Sequence, residues 1–174
     1  MNTSTLYAPG ALTFTCRRTY LLALAFIAGN IVLPQICHLV PQGGMILLPI
    51  YFFTLIGAFA FGWRVGILTA IASPLINCAL FGMPAPAILP AILTKSALLA
   101  VAAGYTSTLT RRPGLLMVAA VVLFYQLFGS LAEWAYTSSF QAAVADFRLG
   151  LPGILIQIFG GWLAINCLAR IRKD

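Results

Sequence analysis

Apolar runs of about 20 residues, separated by short Gly, Pro or Arg punctuation, fill this chain from residue 20 to residue 169. A run of that length spans the hydrocarbon core of a bilayer as a helix. The first run covers 20–40 and ends at Pro41-Gln42-Gly43-Gly44. The second covers 45–61, and Gly62-Trp63-Arg64 turns the chain into the third, 65–81. Those two runs together are too long for one crossing. The stretch Gly82-Met83-Pro84-Ala85-Pro86 is a rigid, loop-forming connection. The fourth run covers 87–109 and stops at Arg111-Arg112-Pro113-Gly114; the fifth covers 115–136. A more polar connection, 137–148, precedes the sixth, 149–169. The pattern predicts an all-α polytopic membrane protein, a single membrane domain over 1–174 with six transmembrane helices.

Composition agrees. Hydrophobic residues make up 61% of the chain and charged residues 7%, with a mean hydropathy of +1.00. Soluble domains carry roughly a quarter charged residues, so the lipid bilayer is the expected solvent. The net charge of +7 does not point to nucleic acid. The basic residues sit in short clusters between apolar runs, and no basic helix face or aromatic-basic platform is present.

Cys16, Cys37, Cys78 and Cys167 form no CxxC pair, and His38 is the one histidine. They read as small apolar residues, with neither a disulfide framework nor a metal site expected. The first run follows Arg17-Arg18, as a signal peptide's would. It is long for such a segment and no small-x-small cleavage site ends it, so a retained first helix is expected.

Charge orients the spans. One side receives Arg17, Arg18, Arg64, Arg111, Arg112, Arg170, Arg172 and Lys173; the other receives Arg148. The positive-inside rule then places both termini in the cytoplasm. The two halves share no visible repeat, so an inverted-repeat carrier is not indicated.

Against this background the polar residues inside the spans carry the chemistry. Lys95 lies about 12 Å below the outer end of the fourth span, and a lysine at that depth is costly without a partner, ligand or water. Gln157 lies at a similar depth in the sixth span, and Gln126 near the middle of the fifth. Gln126, Ser130, Glu133 and Thr137 recur at i, i+4, i+7 and i+11, one polar stripe on one helix face. Asn30, Pro34 and His38 share a face of the first span, and Ser73 and Asn77 a face of the third. The functional reading is an outward-opening small-molecule cavity. Its candidate lining is Lys95, Gln126, Glu133, Trp134, Gln157, Asn77, His38 and Gln42, with Tyr136 beside Trp134 at the mouth. The structural alternative is a Lys95–Glu133 pair with interhelical Gln and Ser hydrogen bonds, Trp134 and Tyr136 in an interfacial belt and His38 in a solvated loop. Ala25-x-x-x-Gly29 on the first span permits close approach of another helix, as do Ala58-x-x-x-Gly62 and Gly62-x-x-x-Gly66.

Several local features, in their order and spacing, carry a family resemblance. Pro41-Gln42-Gly43-Gly44 leads into Leu48-Pro49, and Gly57, Gly62 and Gly66 cross the second and third spans. Gly82-Met83-Pro84 precedes the fourth span, and Leu151-Pro152-Gly153-Ile154-Leu155-Ile156-Gln157 opens the sixth. With the length and the six runs, the chain resembles an S component, the substrate-capture subunit of an energy-coupling factor (ECF) transporter. The resemblance implies a bacterial cytoplasmic-membrane protein that captures a small water-soluble vitamin or related micronutrient in a pocket at its outer side. It implies partners: a transmembrane T subunit and two cytosolic ATPase subunits that supply ATP hydrolysis. It also implies docking through a small-residue motif on the first helix, here Ala25 and Gly29, a departure from Ala-x-x-x-Ala. Many members carry an acidic residue near the position of Lys95. A lysine there leads to the expectation of a carboxylate-bearing substrate.

No phosphate-binding loop is present, so the chain is not expected to hydrolyse ATP itself; it is expected to be neither an enzyme nor the holder of a cofactor. An intramembrane hydrolase would need a nucleophile–base or metal constellation, and no HExxH or GxSxG occurs. A stand-alone small-molecule transporter or channel is the alternative. It would need a polar path continuing into the cytoplasmic half, where Asn166 is the main polar residue. A membrane scaffold would bind no small molecule.

Overall fold

The computed structural model describes residues 12–110 and 112–171. Arg111, Arg172 and Lys173, used above to orient the chain, lie outside the described residues. Everything described is helix or short connection, with no strand among the described residues. The helices are α1 (Arg17–Cys37), α2 (Gly43–Leu47), α3 (Phe52–Phe61), α4 (Trp63–Phe81), α5 (Leu89–Leu109), α6 (Leu115–Thr137), α7 (Phe140–Ala143), α8 (Ala145–Arg148) and α9 (Leu151–Ile171). Five of them, α1, α4, α5, α6 and α9, are long and apolar enough to cross a membrane.

The second expected span departs from the pattern. Residues 45–61 do not form one helix. Leu48 adopts a left-handed backbone (φ 46°, ψ 46°), and Pro49, with no N–H to donate, starts a 3₁₀ turn, Pro49–Tyr51, ahead of α3. What remains is a ten-residue helix. All of its residues from Thr54 to Phe61 are buried. A helix apolar all round belongs inside a bundle, and α3 is that central element, packed against α1, α4, α5 and α9. It does not face lipid along its length, so it need not match the bilayer.

The remaining boundaries shift by a few residues. The first helix starts at Arg17, ahead of the expected residue 20, and ends at Cys37. The fourth run becomes helical at Leu89, because Pro84, Pro86 and Pro90 bias the preceding backbone away from helix. Gly62 makes the corner between α3 and α4 at φ 94°, a conformation side chains resist. The corner lets α4 lie close to α5: a Cβ at Gly104 would strike the backbone of Trp63.

The chain alternates up and down, so its connections fall at two ends. At one end, Arg64 donates to the Leu12 carbonyl at 3.1 Å, Phe14 meets the Trp63 ring edge-on at 5.6 Å, and Trp162 and Asn166 both donate to the Pro113 carbonyl. Arg17, Arg18, Arg64, Arg112 and Arg170 belong to this end. The opposite end gathers His38, α2, Gly82, the N-terminus of α5, the C-terminus of α6, and α7–α8 with Arg148. Leu55, Phe59, Leu99, Val118, Val122 and Ile165 fill the core between the two ends. Leu21, Leu24, Val32, Leu116 and Leu163 point outward, as lipid-facing side chains do.

Candidate functional site

Packing between α5 and α6 places the central charge. Gly129 on α6 has no side chain, and a Cβ there would strike Cγ of Lys95. The lysine stem therefore lies flat across α6 and delivers its ammonium one turn along, to Glu133. Nζ donates to Glu133 Oε2 at 2.6 Å and to Asp146 Oδ2 at 2.8 Å. Lys95 is 2% exposed and Glu133 7%; the Asp146 side chain is 22% exposed. Each carboxylate uses one oxygen for the lysine, and the other, Oε1 or Oδ1, has no hydrogen-bond donor among the described residues.

Beside this triad lies a cavity of about 670 Å³. Lys95, Glu133 and Asp146 line it from α5, α6 and α8. Gln35, His38, Gln42 and Asn77 line it from α1, the 38–42 connection and α4. The wall between is largely apolar: Leu48, Pro49, Ile50, Ile88, Ala91 and Ile92, with Tyr51 among them. The break at Leu48-Pro49 turns this stretch toward the cavity. It is tied down by α9, where Gln157 donates to the Leu48 carbonyl at 3.3 Å and accepts from the Tyr125 hydroxyl at 2.6 Å. Gly153, one turn before Gln157, leaves room for the backbone of Leu47.

A second polar network supports the α1–α4 side. Asn30, fully buried, donates to Thr54 at 3.0 Å and to Ser73 at 3.1 Å, and accepts from the Phe53 N–H. Asn77 donates to the Asn30 carbonyl at 2.9 Å and accepts from Gln35 at 3.3 Å. The Asn30 and Asn77 amides are thus fixed, and Gln35 is held at the cavity wall.

Of the eight residues expected to line a site, the cavity brings together Lys95, Glu133, Asn77, His38 and Gln42. His38 and Gln42 are exposed rim residues, with the His38 ring lying over Gly44. The other three lie elsewhere. Gln157 is buried in the tie to Leu48. Trp134 is 48% exposed and packs edge-on against Phe140 at 5.8 Å. Gln126 is fully buried, and neither its oxygen nor its nitrogen has a partner among the described residues; the same holds for the hydroxyls of Ser130 and Ser96. Asp146, Gln35 and Tyr51 line the cavity without having been singled out. On α1, Ala25 is exposed, while Gly29 packs inward, where a Cβ would lie 2.9 Å from the Phe53 ring.

The lysine of this site is not a free cation. The expectation of a substrate carboxylate on Lys95 relied on one, and two protein carboxylates already occupy it. No group of three or more metal-ligating side chains occurs among the described residues. Compared with protein-family models, curated proteins and solved structures, the chain matches none of them.

Proposed function

We propose that this chain is the substrate-capture membrane subunit of an ATP-driven uptake transporter of the ECF type, binding a small water-soluble vitamin or related micronutrient. The observation that carries the reading is the cavity. Its volume of about 670 Å³ suits a small molecule. Apolar walls and a few convergent polar groups are the usual make-up of such a site. It lies at the end of the bundle opposite Arg17, Arg18, Arg64, Arg112 and Arg170. By the positive-inside rule that end faces outward, with both termini in the cytoplasm of a bacterial cell. In this reading α3 is the second of six spans, a short one shielded by its neighbours.

The stand-alone carrier or channel gains less support. Toward the basic end, the hydroxyls of Thr69 and Ser107 bond to carbonyls of their own helices, and Asn166 bonds to Pro113 and Trp162. Leu55, Phe59, Leu99 and Val122 pack between that end and the cavity. A capture subunit needs no such path, because its partners supply the inward step. The T subunit would dock on the outer face of α1, where Ala25 and Ala28 are exposed, and two ATPase subunits would drive release.

Native mass spectrometry of the detergent-purified chain, expressed in rich medium, tests this reading. One small molecule per chain is expected, lost or weakened in Lys95→Ala. A protein that stays folded and bare from several media would favour the scaffold.

A further inference from the structure

The carboxylates outnumber the ammonium at the cavity wall. Lys95 contributes one positive charge, and Glu133 and Asp146 contribute one negative charge each, so the triad carries a formal charge of −1. The amides that complete the polar lining, Gln35, Gln42 and Asn77, add none, and His38 lies at the exposed rim. Arg148, the nearest basic residue in sequence, is exposed and forms no ion pair among the described residues; water screens its charge. Glu133 Oε1 and Asp146 Oδ1 are acceptors without donors among the described residues, and both residues line the cavity. All three donor positions of the lysine belong to one ammonium, and two are committed at 2.6 and 2.8 Å.

We propose that the captured molecule presents a cationic or N–H-donating head group to Glu133 and Asp146, and that Lys95 positions those two carboxylates rather than anchoring the ligand. The inference rests on the capture reading and names its substrate class. A ligand carboxylate would bring a third negative charge to one lysine or would have to displace Asp146 or Glu133. Either carries a like-charge cost in a site of low dielectric. A protonated amine, an amidinium or an N–H-bearing heterocycle instead meets two free carboxylate oxygens. Its body packs on Leu48, Pro49, Ile88 and Ile92, and its far end meets the neutral amides of Gln35 and Asn77. Lys95 keeps the two acidic side chains from repelling each other before the ligand arrives, which preorganises the site.

Three small probes with one ring and three head groups isolate the charge: benzamidinium, benzamide and benzoate. Binding of each at millimolar concentration is measured by thermal shift and calorimetry on the detergent-purified full chain. The expected order is benzamidinium, then benzamide, then benzoate, with about tenfold or more between the first and last, equivalent to about 1.4 kcal/mol. Glu133→Gln and, independently, Asp146→Asn each remove one negative charge and should compress that order. Asp146 sits in a partly exposed connection, so its variant should fold even where the Glu133 variant does not. Benzoate binding most tightly would overturn the substrate class while leaving small-molecule capture standing. Failure of all three to bind a folded protein would overturn the substrate class, whereas capture itself stands or falls on the native mass spectrum.

Discussion

At the scale of single residues, the lysine that sequence marks as expensive is compensated by the protein itself. Burying a charge is tolerable when it is paired and hydrogen-bonded, and removing one partner leaves the other charge stranded. Lys95→Met leaves Glu133 and Asp146 facing each other without a cation, and should destabilise the fold by about 3–5 kcal/mol. The double variant Lys95→Met, Glu133→Gln should recover part of that loss. Thermal unfolding in detergent checks both; a Lys95→Met protein as stable as the parent would mean the ion pairs contribute nothing. Lys95 and Glu133 were legible in the sequence because each lies on a helix whose depth can be counted, and each is a charge in an apolar run. Asp146 was not. It sits between α6 and α9, where no periodicity assigns a depth, and only the fold-back through α7 and α8 carries it 2.8 Å from the ammonium. Trp134 lies off the cavity for a geometric reason. Adjacent helical residues point about 100° apart, so with Glu133 on the cavity its neighbour turns outward. Gln126 shares the stripe of Glu133 and its burial, yet it faces packed protein and not the cavity.

Among the elements, the helices were readable from their apolar runs to within a few residues, and the break at Leu48-Pro49 was not. Proline alone marks a helix start as readily as a helix break. The left-handed turn at Leu48 depends on a partner 109 residues away, the Gln157 amide that bonds its carbonyl. No local pattern reports such a contact. Its consequence is functional, because Leu48, Pro49, Ile50 and Tyr51 form one wall of the cavity. The Tyr51 ring rests against Tyr125, centroids 5.2 Å apart, and Tyr125 donates to the same glutamine. Gln157→Leu therefore strands the buried Tyr125 phenol, at a cost of about 1–3 kcal/mol, and leaves the Leu48 carbonyl with the 3.4 Å bond from the Tyr51 N–H alone. The expected result is faster amide hydrogen exchange over residues 43–51 and weaker ligand binding, with α5 and α6 unchanged. Exchange that rises uniformly along the chain would mean that the glutamine supports the whole bundle and not this wall.

For the whole molecule, the distribution of charge and the place of the cavity are two aspects of one asymmetry. The basic residues gather where α1 begins, α3 meets α4, α5 meets α6, and α9 ends; the cavity opens among the connections at the other end. A capture subunit requires that the two be on opposite sides of the membrane, since its ligand arrives from outside and its ATPases act inside. Single cysteines in a cysteine-free background read this directly. Gln141 lies exposed on α7 at the cavity end, and Thr108 lies exposed near the end of α5 at the basic end. A membrane-impermeant maleimide should label Gln141→Cys in intact cells, and Thr108→Cys only after the membrane is permeabilised. The charge asymmetry makes this the favoured orientation, because lysine and arginine near span ends resist translocation. The reverse pattern would put the cavity in the cytoplasm. An uptake subunit could not load there, and the same ion triad and apolar walls would then have to serve a molecule gathered from inside the cell.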